Sequence, residues 1–436
     1  MDKDLKYTYD KNNEMIIDNC NTLSLAKKYG SPLYVVSESI LRNRCQLFSD
    51  IMKELYPNSI ISYASKAFCC KAIYNLIKEY NFACDVVSGG EIFTTIKAKF
   101  NPEKIYFHGN NKTLDEIKFA LKNKIYNFVV DNVDELETLE NLVKSSKLLE
   151  NKINILVRVN PGVEAHTHEY IQTSKTDSKF GINIESGEAE KFILRVCQNT
   201  KLNFMGLHYH IGSQIFDVKP FGLAAKKVME FVSMLKKKHN IDVKILNSGG
   251  GYGVWYTSKD PNLKDEDYKK FIKAVVVEVK KAVSKDNLVE PTLVIEPGRS
   301  LICEAGFTLY TVGNIKEIKG VRKYVSIDGG MFENPRYALY QAEYTAVKCK
   351  TENKKTEKVT IVGKCCESGD CIIKDAKIEK LEKGDVIAVL STGAYNYSMA
   401  SNYNRNPVPP VVLLNKGKSR VIVKGQTYND LIKYDL

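Results

Sequence analysis

The chain has 436 residues, 44% of them hydrophobic and 27% charged, with a formal charge of +12 from 64 Lys and Arg against 52 Asp and Glu. That length accommodates two domains with sizeable cores, and the composition is ordinary for a globular protein. The lysines alternate with glutamates, as in KCKTENKKTEK (348–358), and no arginine–aromatic stripe accompanies them, so the charge describes a solvated surface rather than a nucleic-acid face.

No apolar run approaches the roughly 18 residues of a membrane span. The N-terminal MDKDLKYTYDKNNEM is charged and has no apolar signal core. The eleven cysteines form no CxxC or Cys/His spacing of the zinc type, so free thiols, no metal site and a cytoplasmic location are expected.

Strand-like pieces at Glu14–Ile17 and Leu33–Val36 open the chain. From about residue 38 the pattern becomes a regular alternation. Helical runs with apolar residues at three- and four-residue spacing are predicted near 38–55, 69–80, 90–98, 113–122, 132–147, 187–197, 220–238 and 265–284. Short β-branched or aromatic runs lie among them: ISYAS (61–65), ACDVV (83–87), KIYFH (104–108), YNFVV (126–130), NILVRV (154–159), NFMGLHYHI (203–211), VKILN (243–247) and TLVIE (292–296). Eight strand–helix units in about 250 residues predict a closed (β/α)8 barrel, with right-handed crossovers between parallel strands. After residue 300 the helical period gives way to FTLYTVGNI, YVSID, KVTIVG, DVIAVL, VVLL and SRVIV, separated by Gly, Pro and Asn turns. The expected architecture is α/β: a barrel over 38–300 and a C-terminal all-β domain over 301–436, which the N-terminal segment 1–37 completes.

Barrel chemistry gathers at the C-terminal strand ends. Those ends carry Lys66, Asp85, His108, His210 with Ser213, the run Gly249-Gly250-Gly251, and Glu296-Pro297-Gly298-Arg299. A lysine there can form a Schiff base if desolvated, or can simply pack its stem and send its charge to water. Glycines after strand seven and Gly-Arg after strand eight suit a phosphate, through close backbone approach and a bidentate guanidinium. Together with a histidine and a carboxylate, the set matches the needs of pyridoxal phosphate. Glu296 would face the pyridine nitrogen, His210 would lie against the ring, and Ser213 would bond the phosphate. Taken alone, His210 also reads as a satisfied core histidine.

The motifs YASKA (63–67), DVVSGGE (85–91), FHGNNK (107–112), VNPGVEAHTHEYI (159–171), HYHIGSQ (208–214), GGGYG (249–253), IEPGRS (295–300), CESGD (366–370) and GAYNYSMASNYN (393–404) run through nearly the whole chain. In them the chain resembles the diaminopimelate decarboxylases, within the fold-type III, alanine racemase-like pyridoxal-phosphate enzymes. The resemblance implies covalent attachment of the cofactor to Lys66, with Asp85, His108, His210, Ser213, Gly251, Glu296, Gly298, Arg299 and Tyr395 around it. It implies further that Arg299, Arg336, Tyr340, Glu367 and Tyr395 hold the substrate, whose second amino-acid head calls for guanidinium forks and a carboxylate. Cys366 matches the family's proton donor, although without the resemblance it reads as a buried structural thiol. The resemblance also implies a homodimer in which Cys366 and Glu367 serve the partner's site.

Three features depart from the family pattern: the order of Arg336 in ENPRYALY (333–340), the extra Cys365 before Cys366, and the polar lead-in of NSGGGYG (247–253). His166 and His168 match the family with no physical role assigned. The expected activity is decarboxylation of meso-2,6-diaminopimelate to L-lysine and CO2. The alternatives are an ornithine, arginine or carboxylated-polyamine decarboxylase of the same fold, or a non-catalytic cofactor-binding relative.

Overall fold

The computed structural model describes residues 6–145, 152–163, 178–352 and 355–436; His166 and His168 lie outside them. The chain divides into two compact units, one of residues 45–253 and 263–300, the other of 1–44, 254–262 and 301–436. Residues 38–44 and 254–262, inside the barrel range read from sequence, thus group with the second unit.

The first unit is the barrel. Its strands are β1 (Ser59–Ala64), β2 (Ala83–Val86), β3 (Ile105–Phe107), β4 (Asn127–Val130), β5 (Ile153–Asn160), β6 (Leu202–His208), β7 (Ile245–Asn247) and β8 (Thr292–Ile295). Each pairs in parallel with the next, and β8 closes on β1 through Leu293 opposite Ser59 and Ile295 opposite Ile61. Local chemistry starts the intervening helices where the apolar period does. Ser88 caps helix Gly89–Lys97 by accepting from Glu91 N, and Thr113 with Glu116 forms a capping box on Leu114–Lys122.

Strand pleating fixes what fills the barrel. Ala83, Tyr106, Val129 and Leu156 form a buried cluster, with Ile60, Met205 and Ile245 packed against it. Side chains two residues further along a strand face the same way. One step toward the C-terminal ends, that rule carries the barrel interior from apolar to polar: Asp85, His108, Asp131, Arg158 and Asn247. In β6 the pairing with β5 shifts register between Phe204 and Gly206, which sets His208 opposite Arg158, and on its other side His208 pairs with Asn247 of β7.

The second unit is a β sheet. Its central strand Gly306–Ile318 pairs antiparallel with Leu33–Ser37, Arg322–Ile327 and Val386–Leu390. Leu33–Ser37 pairs in turn with Val411–Asn415, so the N-terminal strand lies inside the C-terminal sheet. Leu33, Val35, Phe307, Leu309, Val412 and Leu414 make its core with Met15 and Ile17. Two further strands, Ala346–Lys348 and Cys371–Glu379, were not among the predicted runs. In the latter, Lys374 and Asp375 are exposed, Asp375 takes φ 57°, and the pairing shifts register, all of which blur the period-two signal.

Candidate active site

Lys66 lies on the turn Ser65–Ala67 that ends β1, with Ser65 and Ala67 buried and Lys66 itself exposed. The turn lifts Lys66 out of the strand at the C-terminal end of the barrel. No described residue hydrogen-bonds its ammonium. Lys112 is the opposite case. It donates to Gly109 O at 2.8 Å, Val129 O at 2.9 Å and Glu135 Oε1 at 2.6 Å, fully buried, and pins the loop after β3. One lysine is structural and the other is available.

Glu296, at the end of β8, is buried and surrounded by donors. Asn247 Nδ2 donates to Oε1 at 2.7 Å and His208 Nε2 lies 3.2 Å from Oε2, while His108 Nε2 stands 3.1 Å from Oε1 as an ion-pair neighbour outside hydrogen-bond geometry. Burial alone would raise this carboxyl, but the two imidazoles hold it well below the usual carboxylate range. Burial pushes His208 down to about 4, so it donates as a neutral ring. Asp85 accepts from Ser65 N at 2.8 Å; burial, and then the charge of Glu296, push it up to about 7. The barrel mouth thus holds one firmly ionised carboxylate and one poised near neutrality.

His210 follows β6, whose last residue is His208, two residues before the predicted strand would reach it. Its Nδ1 accepts from Gly250 N at 3.2 Å, which places the ring proton on Nε2. Burial first, then the charges of Lys66 and Arg158, lower its pKa well below the ordinary histidine value, so the ring is neutral. Gly249, Gly250 and Gly251 admit no side chain: a Cβ on Gly250 would overlap the Glu296 carbonyl, and one on Gly251 the Gly212 carbonyl. At β8, Gly298 packs against Ala64, and Arg299 donates to Ser213 Oγ through Nε at 3.3 Å and Nη2 at 3.0 Å. Lys66, Asp85, His108, His210, Ser213, Gly251, Glu296, Gly298 and Arg299 therefore all belong to the barrel unit.

Arg336, Tyr340, Cys366, Glu367 and Tyr395 belong to the other unit. Arg336 is buried, donates to Tyr344 Oη at 2.6 Å and Tyr256 Oη at 3.0 Å, and sits over the rings of Tyr256, Tyr340 and Tyr344. Its Nε has no hydrogen-bond partner among the described residues. Tyr340 is half-buried and donates to Met399 Sδ; Tyr395 takes φ 63°. Cys366 and Glu367 are exposed, so the buried-thiol alternative for Cys366 does not hold. Cys365 is half-buried, and its thiol is pushed up to about 11 by burial and then by Asp370. Asp370 ties this loop to the segment carrying Arg336, accepting from Met331 N and Cys365 N, each at 2.7 Å.

Sequence reasoning missed His208, Asn247 and Arg158. A period-two count from Met205 sends His208 outward, and only the shift at Gly206 turns it in. Asn247 was seen as a polar departure before the glycines without a partner. Arg158 carried a signal that went unused, since it falls on the interior parity of β5. It lies 3.6 Å from Asp131 and stacks on Phe180.

Residues 41–303 match the family of pyridoxal-dependent decarboxylases, pyridoxal binding domain. Over the full chain the similarity is narrower. The chain is 44% identical to diaminopimelate decarboxylase of Bacillus subtilis (strain 168) across 96% of its length and 94% of that protein's. Its structure resembles diaminopimelate decarboxylase of M. jannaschii in complex with L-lysine, with TM-score 0.91, 36% identity and coverage of 99% and 98%. The Helicobacter pylori enzyme, also complexed with L-lysine, follows at TM-score 0.83 and 32% identity, with coverage of 95% and 98%. The chain belongs to the diaminopimelate decarboxylase family of pyridoxal-dependent decarboxylases.

Proposed function

We propose that this protein is a pyridoxal-phosphate-dependent carboxy-lyase that converts meso-2,6-diaminopimelate to L-lysine and CO2, the last step of lysine biosynthesis by the diaminopimelate route. The observation that carries the reading is the convergence of Lys66, Glu296, His210 and the Gly249–Gly251 turn at one barrel mouth in a chain 44% identical to B. subtilis diaminopimelate decarboxylase.

The residues fit the cofactor. The glycine turn leaves backbone room that any side chain would fill, beside a guanidinium already aimed at the Ser213 hydroxyl. Ser213, Gly251, Gly298, Arg299 and Tyr395 would hold the phosphate and Lys66 would hold the cofactor covalently, with Asp85 and His108 lining the site. When bound, the cofactor supplies an electron sink for the carbon that loses its carboxylate. Glu296 offers a fixed negative charge to the pyridine nitrogen, and neutral His210 offers a flat face without competing charge. Arg336 with Tyr340 and Arg299 would grip the distal carboxylate, and Glu367 the distal ammonium. Cys366 would deliver the proton from Sγ to the carbon that CO2 leaves, which sets product stereochemistry. Its exposure favours it over Cys365, whose raised thiol Asn406 Nδ2 approaches at 3.7 Å.

We further propose a homodimer in which Cys366 and Glu367 act in the partner's site, and a cytoplasmic location. None of the eleven cysteines is in a disulfide, and no described helix is long and apolar enough to cross a membrane.

Purified protein with pyridoxal phosphate, offered meso-diaminopimelate, L-ornithine and L-arginine separately, tests the reading. CO2 and lysine from diaminopimelate alone are expected. Release from ornithine or arginine instead would overturn the substrate assignment, and no turnover on any of the three would overturn the activity.

A further inference from the structure

Asn247 is the last residue of β7 and is fully buried. Its carboxamide is used at both ends: Nδ2 donates to Glu296 Oε1 at 2.7 Å, and Oδ1 accepts from Gly249 N at 3.0 Å. The backbone is laced around the same point. Asn247 O accepts from Tyr209 N at 2.9 Å, and Gly249 O accepts from Glu296 N at 2.8 Å. Only one orientation of the amide satisfies both neighbours, because a carboxylate needs a donor and an N–H needs an acceptor. Aspartate matches the shape but cannot donate when ionised, and leucine matches the bulk but makes neither bond.

We propose that Asn247 is a positioning residue that couples the two ends of the cofactor site, setting Glu296 for the pyridine nitrogen and the Gly249–Gly251 turn for the phosphate with one side chain. The inference rests on the pyridoxal-phosphate reading above. It gives physical content to the polar lead-in before the glycines: an apolar residue at 247 would leave a buried carboxylate oxygen short of its donor and a glycine N–H without an acceptor.

The test is a pyridoxal phosphate titration of wild type, Asn247→Asp and Asn247→Leu at pH 6 and pH 8. It follows the absorption of lysine-bound cofactor and its Kd, with circular dichroism to establish that each variant is folded. Loss of a charge-assisted bond should weaken binding about tenfold to a hundredfold in the leucine variant, to a similar extent at both pH values. The aspartate variant keeps the acceptor for Gly249 but sets a second carboxylate against Glu296. Its deficit against wild type should be about tenfold or more at pH 8 and should shrink at pH 6, where the pair can share a proton. A merely structural role would lower the melting temperature without making the deficit depend on pH. If the leucine variant does not fold, the near-isosteric aspartate variant decides alone. An aspartate variant that binds like wild type, or with the same deficit at both pH values, overturns the proposal. No uptake by wild type would instead bring down the cofactor reading, and this inference with it.

Discussion

Each unit buries a glutamate, and the two behave in opposite ways. Glu296 in the barrel meets Asn247, His208 and His108 and stays ionised well below the usual range. Glu333 in the β unit is fully buried, and among the described residues its carboxylate accepts from Tyr310 Oη at 2.7 Å and Gly330 N at 3.1 Å, both on Oε1. Its Oε2 has no hydrogen-bond partner among the described residues. Burial raises its pKa to about 8; the two donors lower it and the charges of Asp370 and Asp328 add to the rise, so it is largely protonated at neutral pH. Burial is common to both residues, and the number and kind of donors brought to each decide the charge. Barrel strands converge and so supply donors from several neighbours at one layer. The Glu333 loop supplies one hydroxyl and one amide.

The largest expected effect is on the barrel side. Lys66→Ala should lower kcat/KM by at least roughly a thousandfold, since a covalent attachment point is lost, and the lysine-bound cofactor absorption should disappear. Mixing that variant with Cys366→Ala should restore part of the activity if the two residues serve opposite subunits. No activity in the mixture, with mixed dimers demonstrated, would sink the shared-site reading. Glu296→Gln keeps the shape but removes the charge, and should reduce kcat by about a hundredfold or more, as loss of a preorganised electrostatic partner does. Its cofactor spectrum should show an unprotonated ring; an unchanged spectrum would break the contrast between the two glutamates.

Arg336→Met should act mainly through substrate binding, raising KM for diaminopimelate by roughly ten- to a hundredfold, the worth of a charge-assisted bond. An unchanged KM would move the distal-carboxylate role elsewhere.

The remaining effect is on stability rather than activity and comes from Glu333. Its pKa is raised in the fold, from 4.5 to about 8. The unfolded chain therefore ionises first as pH rises. The penalty is absent below 4.5, grows by up to about 1.4 kcal/mol per pH unit through the window and levels off above 8. Glu333→Gln should flatten that slope and melt higher than wild type at pH 8, with little difference at pH 5. Urea midpoints of both proteins at the two pH values check it, and parallel curves would mean Glu333 ionises normally in the fold.

The barrel, its eight strands and most of the residues at its mouth were legible because periodicity encodes them. A parallel strand ends where its apolar run ends, and in this fold the ends converge. Lys66, Asp85, His108, Glu296 and Arg299 follow from that rule. His208 did not, because the register shift at Gly206 reverses its face without any residue type announcing it. The β unit was less legible: Cys371–Glu379 carries charges at its bend, and the position of the Cys366–Glu367 loop depends on Asp370 joining the nearby Cys365 amide to that of Met331, far away in sequence.

Residue types and their spacing determined by themselves the (β/α)8 alternation, the lysine, glycine and arginine chemistry at its strand ends, and the family to which the motifs belong. Tertiary structure alone decided that Lys66 is exposed while Lys112 is buried, that Asn247 joins a carboxylate to a glycine turn, and that one buried glutamate is charged and the other is not. Those outcomes depend on which donors reach a point in space from strands and loops far apart in the chain, and local pattern does not record that.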